Sequence, residues 1–501
     1  MHADVSALFD RFAVSEPARS FIRSSPKMYI DGEFTESSNG ETFDLVEPST
    51  GQYLVSVPHG SIEDLDRAVA AANRALRHGP WAAMKPNERQ NLLLRLADLL
   101  ETNASTAAEI ETIDNGKAIG PCLVADIMGS VDLLRYMAGM VTKIQGATRT
   151  VSAEGEHFAM TLKEPVGVVG AIVPWNFPLN TACWKMAAAL AAGCTMVVKP
   201  AEITPLSILY FATLAAQAGL PAGVLNVVTG SGREIGARLA GHTDVHKISF
   251  TGSTEVGRNV GIAATTHLAP ATLELGGKSP MIAFEDADLD ALAESTKWSV
   301  FFNAGQVCSA GSRVYIHRSI WREALNTIAK AAKGMKIAPG LDPDCELGPV
   351  VSAAQHEAIL DYIRLGEKEG AECVCGGRAV ESSGYFIEPT LFAISDNRAR
   401  IVQEEIFGPV LVAIPFDSEE EVIAMANDSP YALAASVWTR DLARSIRCIR
   451  ALEAGTVWVN THDVLDSAIP FGGFKQSGYG KDLGVEQLDH FLRTKSAWIS
   501  L

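Results

Sequence analysis

The sequence predicts an α/β protein built on parallel sheets whose faces are both covered by helices. From residue 166 onward, short runs rich in β-branched residues alternate with helical segments, which is typical of βαβ units. A second block, from about 280 to 475, repeats the mixed pattern. The chain has 501 residues, too many for one hydrophobic core, so we expect two or three domains.

The first block contains five predicted strands, which are "VGVVGAIV", "TMVVKP", "VLNVV", "KISF" and "TLEL". Helices are predicted through "ACWKMAAALAA" and "LSILYFATLAAQAG", and after the turns "GSGREIG" and "GSTEVG". The strands are almost continuously apolar, which favours a parallel sheet that is buried on both faces.

The second block and two separate segments complete the predicted organisation. The strands of the second block are "SRVYIHR", "GPVLVAIPF", "ALAASVWT" and "GTVWVN", and the hinge between the blocks should lie near "LELGGKSP". Two segments lie outside these blocks: a hairpin-like stretch near 143–165, in which apolar and polar residues alternate, and the tail "FLRTKSAWISL". Both resemble edge strands that need a partner, which a subunit interface would supply.

Composition excludes several classes of partner. A formal net charge of −17 and a pI near 5.2 leave no surplus of cations, so we expect no binding to nucleic acid or to a membrane surface. The most apolar long stretch, 183–198, contains Lys185 and is broken by Gly193, so it is not a membrane span. The first 30 residues lack the apolar segment of a signal peptide.

The eight cysteines are scattered along the chain, without the dense spacing of a disulfide scaffold. This pattern favours a reducing cytoplasm. Cys373 and Cys375 form a C-x-C pair, but no second Cys or His pair stands at a useful distance, so we expect no metal site. Cys308, in "FFNAGQVCSAGSR", is either a nucleophile at the mouth of a pocket or a buried thiol.

Two glycine-rich turns connect predicted strands to helices. One contains Gly252, Ser253, Thr254 and Gly257, and the other, "NVVTGSGREIG", contains Gly232. Glycine lets the backbone approach a pyrophosphate, and a helix N-terminus favours negative charge. Neither turn has the G-x-G-x-x-G spacing, so each alone is weak evidence for a nucleotide site.

Seven motifs in a fixed order give a much more specific signal. They are "VPWNFP", "KPAE", "FTGSTEVG", "LELGGKSP", "GQVCSAGSR", "EEIFGPV" and "PFGGFKQSGYG", and together they resemble the aldehyde dehydrogenase superfamily over nearly the whole chain. The resemblance implies a Rossmann-like NAD-binding domain (1–142 and 165–276), a catalytic domain (277–484) and a small β oligomerisation unit (143–164 and 485–501). The two edge-strand segments also predict an oligomer, either a dimer or a homotetramer built from dimers.

The resemblance implies a catalytic set in which Cys308 is the nucleophile, Glu274 the general base and Asn176 an oxyanion donor, with Lys185 as a fourth member. The chemistry requires the first three residue types independently. A thiolate adds to the aldehyde carbonyl, and the tetrahedral oxyanion then expels a hydride toward a nicotinamide. The remaining thioester is hydrolysed by water that a base activates, which argues against transfer to coenzyme A. Glycines beside Glu274 would let its side chain move.

The resemblance also implies a set of residues that bind NAD. They are Ile172, Val173, Pro174, Trp175, Lys199, Glu202, Gly232, Gly252, Ser253, Thr254, Gly257, Leu275, Glu405 and Phe407. Lys199 and Glu202 would hold the adenosine ribose, and Glu405 and Phe407 would contact the nicotinamide half. The Glu202 carboxylate would repel a 2′-phosphate, so NAD should be preferred over NADP.

The resemblance also bears on the substrate. Two segments, "RYMAGMVTKIQG" and "GTVWVNTHDVLDSAIPFGGFKQSG", are most similar to phenylacetaldehyde dehydrogenases within the superfamily. The resemblance gives a substrate tunnel lined by Met128, Phe177, Trp184, Leu465 and Phe471. An apolar aromatic tunnel suits a flat hydrophobic aldehyde.

Two alternatives stay open. Asp463 and Asp466 could attract an aminoaldehyde or betaine aldehyde, with Trp184 stacking on the cation. A cysteine-dependent esterase or hydrolase belongs to a different class, and it would need an imidazole near Cys308.

Overall fold

The computed structural model describes residues 5–501. In chain order its strands are β1 (Met28–Ile30), β2 (Glu33–Thr35), β3 (Thr42–Glu47), β4 (Gln52–Pro58), β5 (Ala147–Arg149), β6 (His157–Pro165), β7 (Val168–Ile172), β8 (Thr195–Lys199), β9 (Leu225–Val227), β10 (Lys247–Thr251), β11 (Ala271–Glu274), β12 (Pro280–Ala283), β13 (Arg313–His317), β14 (Glu372–Cys375), β15 (Thr390–Ala393), β16 (Val410–Phe416), β17 (Tyr431–Ala432), β18 (Ala434–Trp438), β19 (Thr456–Val459), β20 (Phe474–Lys475), β21 (Gly478–Tyr479) and β22 (Leu492–Ser500).

The α-helices, also in chain order, are α1 (Ser6–Arg11), α2 (Glu16–Arg23), α3 (Ile62–Arg77), α4 (Pro80–Ala83), α5 (Pro86–Thr102), α6 (Ala104–Asn115), α7 (Ile119–Pro121), α8 (Gly129–Met140), α9 (Pro178–Ala192), α10 (Leu206–Gln217), α11 (Ala237–Ala240), α12 (Thr254–Thr266), α13 (Leu289–Thr296), α14 (Trp321–Lys333), α15 (Ala353–Lys368), α16 (Arg400–Gln403), α17 (Glu419–Asn427) and α18 (Leu442–Ala451).

The first sheet has the strand order β2-β1-β9-β8-β7-β10-β11-β21. Its five central strands are parallel, and the three flanking strands pair antiparallel. Every residue of β7 and β8 is buried, which explains their continuous apolar sequence. The chain runs outward in both directions from β7, so the strand order reverses between β7 and β10. Ligands of doubly wound sheets bind at the carboxyl ends of the strands beside such a reversal.

A short loop after β7 leads into helix α9. Pro178 occupies its first position, where the missing N–H costs nothing, and Gly193 ends it in a left-handed conformation (φ 91°). Nearly all of its side chains are buried between neighbouring elements. The loop between β7 and α9 is thereby fixed at both ends.

The second sheet has the order β14-β15-β16-β13-β12-β18-β19 and is parallel except for β14. The strands predicted for the second block all lie in this sheet. The predicted α/β class with two parallel sheets is confirmed.

The two segments predicted as lone edge strands pair with each other. Strand β22 runs antiparallel to β6 over nine residue pairs, from Leu492 opposite Pro165 to Ser500 opposite His157, and β5 completes a three-stranded sheet. The expectation that both segments need a strand from another subunit is therefore wrong for the edge along which β22 and β6 pair. Within residues 5–501, the outer edges of β22 and β5 have no paired strand.

All eight cysteines carry free thiols. Among the described residues, no helix has both the length and the apolar character to cross a membrane.

Candidate active site

A cavity of about 930 Å³ lies at the carboxyl ends of β7, β10 and β11, beside the loops that precede β13 and β16. Large, mostly apolar cavities with a few converging polar groups are the usual sites of small-molecule binding. Many predicted site residues line it together: Cys308, Glu274, Asn176, Pro174, Trp175, Gly252, Ser253, Leu275, Glu405, Phe407, Phe177, Trp184, Leu465 and Phe471.

The turn that carries Cys308 has an unusual backbone. Asn303 and Ala304 both have left-handed conformations (φ 48° and 53°), and Gly305 follows with φ 73°. Such strain in non-glycine residues persists only where the surroundings enforce it, as they often do at functional sites. The Asn303 side chain donates a hydrogen bond of 2.9 Å to the carbonyl oxygen of Asn176. This bond ties the Cys308 turn to the loop after β7.

The Cys308 thiol is half-buried at the cavity wall. Burial raises its pKa well above the ordinary value, and the carboxylates of Asp463, Glu405 and Glu274 raise it further. Without a bound ligand, the side chain is therefore the protonated thiol at neutral pH. A reaction that uses the thiolate needs a group to take this proton.

Asn176 is buried and lies directly before helix α9. Its side-chain nitrogen donates a 2.9 Å hydrogen bond to the carbonyl oxygen of Gln306. An amide nitrogen carries two hydrogens, so one is fixed by Gln306 and the second remains to donate toward the cavity. This geometry preorganises a hydrogen-bond donor beside Cys308.

Glu274 ends strand β11 and lines the cavity, yet neither of its carboxylate oxygens has a hydrogen-bond partner. Burial raises its pKa well above the usual range, Asp482 raises it further, and Lys185 and Lys481 lower it. The carboxylate packs against Gly472, where a Cβ atom would collide with Oε1. Glycine at 472 therefore makes room for this side chain.

Glu405 is held more firmly. Gly277 donates a backbone hydrogen bond of 2.8 Å to its Oε1, and a Cβ at Gly276 would collide with its carboxylate. Burial raises its pKa to about 7, against the lowering effects of the Gly277 hydrogen bond and of Lys278. Nearby Phe407 has a left-handed backbone (φ 55°) and packs edge-on against Trp175, with ring centroids 5.2 Å apart.

Lys185 does not line the cavity. Its ammonium is buried and forms a 3.0 Å ion pair with Asp482, which also accepts a 2.7 Å hydrogen bond from Gln487. Lys185 affects the cavity through its charge, which favours the ionised form of Glu274.

Three of the predicted cofactor residues form a separate group at the end of β8. Glu202 is exposed and accepts a 2.6 Å hydrogen bond from the backbone nitrogen of Gly232. Lys199 is buried, and its Nζ donates to the carbonyl oxygen of Pro200 at 2.8 Å. Burial lowers the pKa of Lys199 to about 8, while Glu202 opposes that change. A carboxylate, an ammonium and a glycine-rich turn together could hold a ribose and its phosphates.

The remaining predicted cofactor residues lie in the first turns of α12 and at the end of β7. Ser253 accepts a hydrogen bond from Val256 and so caps a 13-residue helix that starts at Thr254. Gly257 lies against Leu275, where a Cβ would collide. Ile172 and Val173 are buried at the end of β7, behind the lining residues. The predicted helix after "GSTEVG" therefore begins within that motif.

Aromatic side chains form the other arm of the cavity. Trp184 packs edge-on against Phe471 (centroids 5.6 Å), and Trp298 stacks on Phe302 (4.4 Å, 6° between planes). Phe177 contacts Phe302 at 5.7 Å. Trp298 and Phe302 were not predicted to line the cavity, although their aromatic side chains, shortly before Cys308 in the sequence, were a usable signal.

Met128, which was predicted for the tunnel, packs against the main hydrophobic core and is not among the residues that line the cavity. It ends a π-helical turn, Cys122–Met128, whose wider spacing rotates the following residues relative to an α-helix. Gly129, Asp132 and Tyr136 line the cavity from this side instead. The predicted tunnel lacked these two polar side chains.

A buried charge cluster lies beneath Phe177. The Lys117 ammonium is 2.5 Å from Asp126, 3.7 Å from Glu111 and 3.9 Å from the centroid of the Phe177 ring. Glu111, Cys122 and Asp126 are close enough together to offer ligands to a metal. Lys117 already supplies the positive charge there, so the cluster reads as structural support for the cavity wall.

Comparisons with known proteins agree on one family. Residues 34–497 match the profile described as the aldehyde dehydrogenase family. The chain is 47% identical over 488 residues to DhaS of Bacillus subtilis (strain 168), whose name describes it as an aldehyde dehydrogenase. It is 45% identical over 492 residues to a phenylacetaldehyde dehydrogenase of Pseudomonas fluorescens, and in both cases 97% of this chain and 98% of the relative are covered.

A solved structure supports the same grouping. The NAD+ complex of an aldehyde dehydrogenase from Bacillus cereus superposes with a TM-score of 0.95 at 45% identity. The match covers 97% of this chain and 99% of that one.

Proposed function

The chain belongs to the aldehyde dehydrogenase family and is an NAD-dependent aldehyde dehydrogenase, and we propose that it works through a covalent thioester on Cys308. The observation that carries the mechanism is that Cys308, Asn176 and Glu274 line one cavity. In that cavity Glu274 is a carboxylate without a hydrogen-bond partner.

The residues present fit NAD. Lys199, Glu202 and Gly232 would hold the adenosine half, the N-terminus of α12 would face the phosphates, and Glu405 and Phe407 would contact the other half. When bound, NAD supplies a ring that accepts a hydride. Because Glu202 is exposed and already oriented by Gly232, its charge would oppose the 2′-phosphate of NADP.

In the first half-reaction, the Cys308 thiol gives up its proton to solvent through the open cavity, and the sulfur adds to the aldehyde carbon. Asn176 and the backbone N–H of Cys308 donate to the resulting oxyanion, and loss of such a donor typically raises the barrier by about 3 kcal/mol. Hydride loss from this carbon leaves a thioester on Cys308.

In the second half-reaction, Glu274 takes a proton from water, and the water oxygen attacks the thioester carbon. The carbon–sulfur bond breaks, which releases the carboxylic acid and restores the Cys308 sulfur. A raised pKa brings a carboxylate closer to the operating pH and makes it a better base. The absence of a hydrogen-bond partner leaves the carboxylate free to reorient toward water.

For the substrate, we propose an aromatic aldehyde such as phenylacetaldehyde. Trp184, Phe471, Phe177, Phe302 and Trp298 provide flat apolar walls, and apolar faces favour a ring of similar size. The likeness to the phenylacetaldehyde dehydrogenase of Pseudomonas fluorescens supports the same choice.

An aminoaldehyde or betaine aldehyde is the second candidate. Asp132, Asp463 and Asp466 line the cavity, and none of its lining side chains within residues 5–501 is Lys or Arg. Asp132 and Asp466 are exposed, however, so water weakens their attraction for a cation. The Asp463 carboxylate already accepts a hydrogen bond from the Ser309 hydroxyl, with 2.5 Å between Oγ and Oδ1. The aromatic walls therefore favour an aromatic aldehyde more strongly than the acidic groups favour a cationic one.

A substrate panel separates the candidates: phenylacetaldehyde, hexanal, betaine aldehyde, 4-aminobutanal and succinic semialdehyde, compared by kcat/KM at fixed NAD. We expect phenylacetaldehyde to be preferred and succinic semialdehyde to be poorest. A cationic or carboxylate aldehyde that beats phenylacetaldehyde by more than about tenfold, or ~1.4 kcal/mol, would contradict the aromatic assignment.

A cysteine hydrolase is disfavoured by the histidine near the nucleophile. His462 donates through Nε2 to the carbonyl of Ser309 and uses Nδ1 with Ser436, both at 2.9 Å. Burial lowers its pKa to about 4, so it is a poor proton acceptor for Cys308. No histidine lines the cavity in the described part of the chain.

We also propose a cytoplasmic homotetramer built from the domains 1–142 with 165–276, 277–484, and 143–164 with 485–501. The unpaired outer edge of β22 and its exposed apolar residues Trp498 and Ile499 support a subunit contact through the small sheet. Light scattering at micromolar concentration tests the assembly, and a monomeric mass would contradict it.

A further inference from the structure

Ser309, the residue after the nucleophile, is held at two atoms by two consecutive residues. The ring Nε2 of His462 donates to its carbonyl oxygen at 2.9 Å. The Ser309 hydroxyl donates to Asp463 Oδ1 at 2.5 Å.

The two residues that grip Ser309 are themselves fixed. Ser436 hydrogen-bonds to Nδ1 of His462 and accepts from the Trp438 indole at 3.2 Å, so its hydroxyl is left to donate to the ring. This sets His462 as the neutral tautomer that donates through Nε2. Asp463 has a left-handed backbone (φ 61°), a strained conformation that its contacts must maintain.

On the proposed function that makes Cys308 the nucleophile, we propose that His462 and Asp463 are positioning residues: together they clamp Ser309, and the Asp463 carboxylate keeps the resting Cys308 side chain in its unreactive thiol form. The aldehyde site would thus contain a built-in guard against premature alkylation or oxidation of its nucleophile.

The position of the charges around Cys308 supports this role. Asp463, Glu405 and Glu274, all acidic, line the same cavity as Cys308. Burial is the main cause of the raised pKa of the Cys308 thiol, and Asp463 has the largest effect among these carboxylates. Burial raises the pKa of Asp463 to about 6, and the Ser309 hydroxyl opposes that rise. At pH 7.5 the carboxylate is therefore mostly ionised and disfavours a thiolate beside it. Below about pH 6 it becomes neutral and this effect is lost.

The test measures alkylation of Cys308 by iodoacetamide in the free chain, without NAD or aldehyde, so its outcome does not depend on turnover. The background carries Cys373→Ser, since Cys373 is the exposed thiol, and peptide mass spectrometry follows Cys308. Asp463→Asn keeps the shape and an acceptor for Ser309 but removes the charge. Asp466→Asn is the matched control, because Asp466 lines the same cavity and is not bonded to Ser309.

At pH 7.5 we expect Asp463→Asn to be alkylated about five to ten times faster than the parent, and Asp466→Asn less than about twofold faster, because a lower thiol pKa increases the thiolate fraction. The ratio of the Asp463→Asn rate to the parent rate should fall toward one between pH 7.5 and pH 5. An unchanged rate in Asp463→Asn, an equal effect of Asp466→Asn, or a ratio independent of pH would overturn the proposal. Asp463→Ser provides a second neutral variant if Asp463→Asn does not fold, with the same expectations.

Discussion

The two glutamates that line the cavity are held in opposite ways. Glu405 accepts a backbone hydrogen bond from Gly277 and rests against Gly276. Glu274, at the end of β11, has no hydrogen-bond partner for either oxygen and rests against Gly472. Both have raised pKa values because of burial.

This difference shows how one cavity can assign different tasks to the same side chain. A carboxylate fixed by a backbone N–H is suited to orienting a bound molecule, because its position costs little entropy to maintain. A carboxylate without partners can reorient and accept a proton. In the proposed mechanism, Glu405 is then the anchor on the cofactor side, and Glu274 is the mobile base on the thioester side.

The largest expected effect comes from removing the nucleophile that both glutamates surround. Cys308→Ala should lower aldehyde oxidation by at least about 10³-fold, since no covalent adduct can form. NAD should still bind, because the residues proposed to hold it do not include the thiol. NADH formation at 340 nm and NAD titration by calorimetry measure the two properties, and unimpaired turnover would end the covalent interpretation.

The next effect distinguishes the anchored glutamate from its neighbour. Glu405→Gln should slow hydride transfer by about 10- to 100-fold and abolish any NADH burst, because the first half-reaction becomes limiting. The control is Glu404→Gln, whose side chain bonds to Tyr362 and Arg400 outside the cavity. Stopped-flow traces decide between them, and a burst followed by a stall in Glu405→Gln would show that the two glutamates had been assigned the wrong way round.

A smaller effect concerns the choice of cofactor. Glu202→Ser removes the charge opposed to a 2′-phosphate, so the preference for NAD over NADP in kcat/KM should fall by about tenfold. Glu234→Ser removes an exposed charge on the adjacent turn and serves as the control. An unchanged ratio in Glu202→Ser would refute the role of Glu202.

The smallest expected effect is on stability. The pKa of Glu274 is higher in the folded chain than its ordinary 4.5, so the folded state binds the proton more tightly than the unfolded state. Stability is therefore lost as pH rises from about 4.5 through the raised value, because the buried carboxyl must ionise. Glu274→Gln removes this cost, and its Tm should exceed that of the parent by about 1–3 °C at pH 8 and by less at pH 5. Calorimetric melts that show the same difference at both pH values would contradict it.

The sequence predicted most of the framework, and it predicted the three residues of the proposed mechanism that line one cavity. Strands β7 and β8 were predictable because burial on both faces requires continuous apolar runs. Cys308, Asn176 and Glu274 were predictable through motifs, although a single motif would not have shown that they meet in one cavity.

Other features depend on long-range or irregular geometry. The pairing of β22 with β6 joins segments over 300 residues apart, and neither carries a local signal for its partner. The π-helical turn Cys122–Met128 is irregular in a way that the sequence pattern does not signal, and Gly129, Asp132 and Tyr136 line the cavity after it. The contact of Asp463 with Ser309 joins two loops that only the folded chain brings together.

The central claim is that Glu274 acts after hydride transfer, as the base that hydrolyses the thioester. Glu274→Gln, mixed rapidly with NAD and phenylacetaldehyde, tests it most directly. The account predicts a burst of about one NADH per active site, followed by steady turnover reduced about 10²- to 10³-fold, because the thioester forms but hydrolyses slowly. Steady turnover equal to that of the parent, or loss of the burst together with turnover, would contradict it.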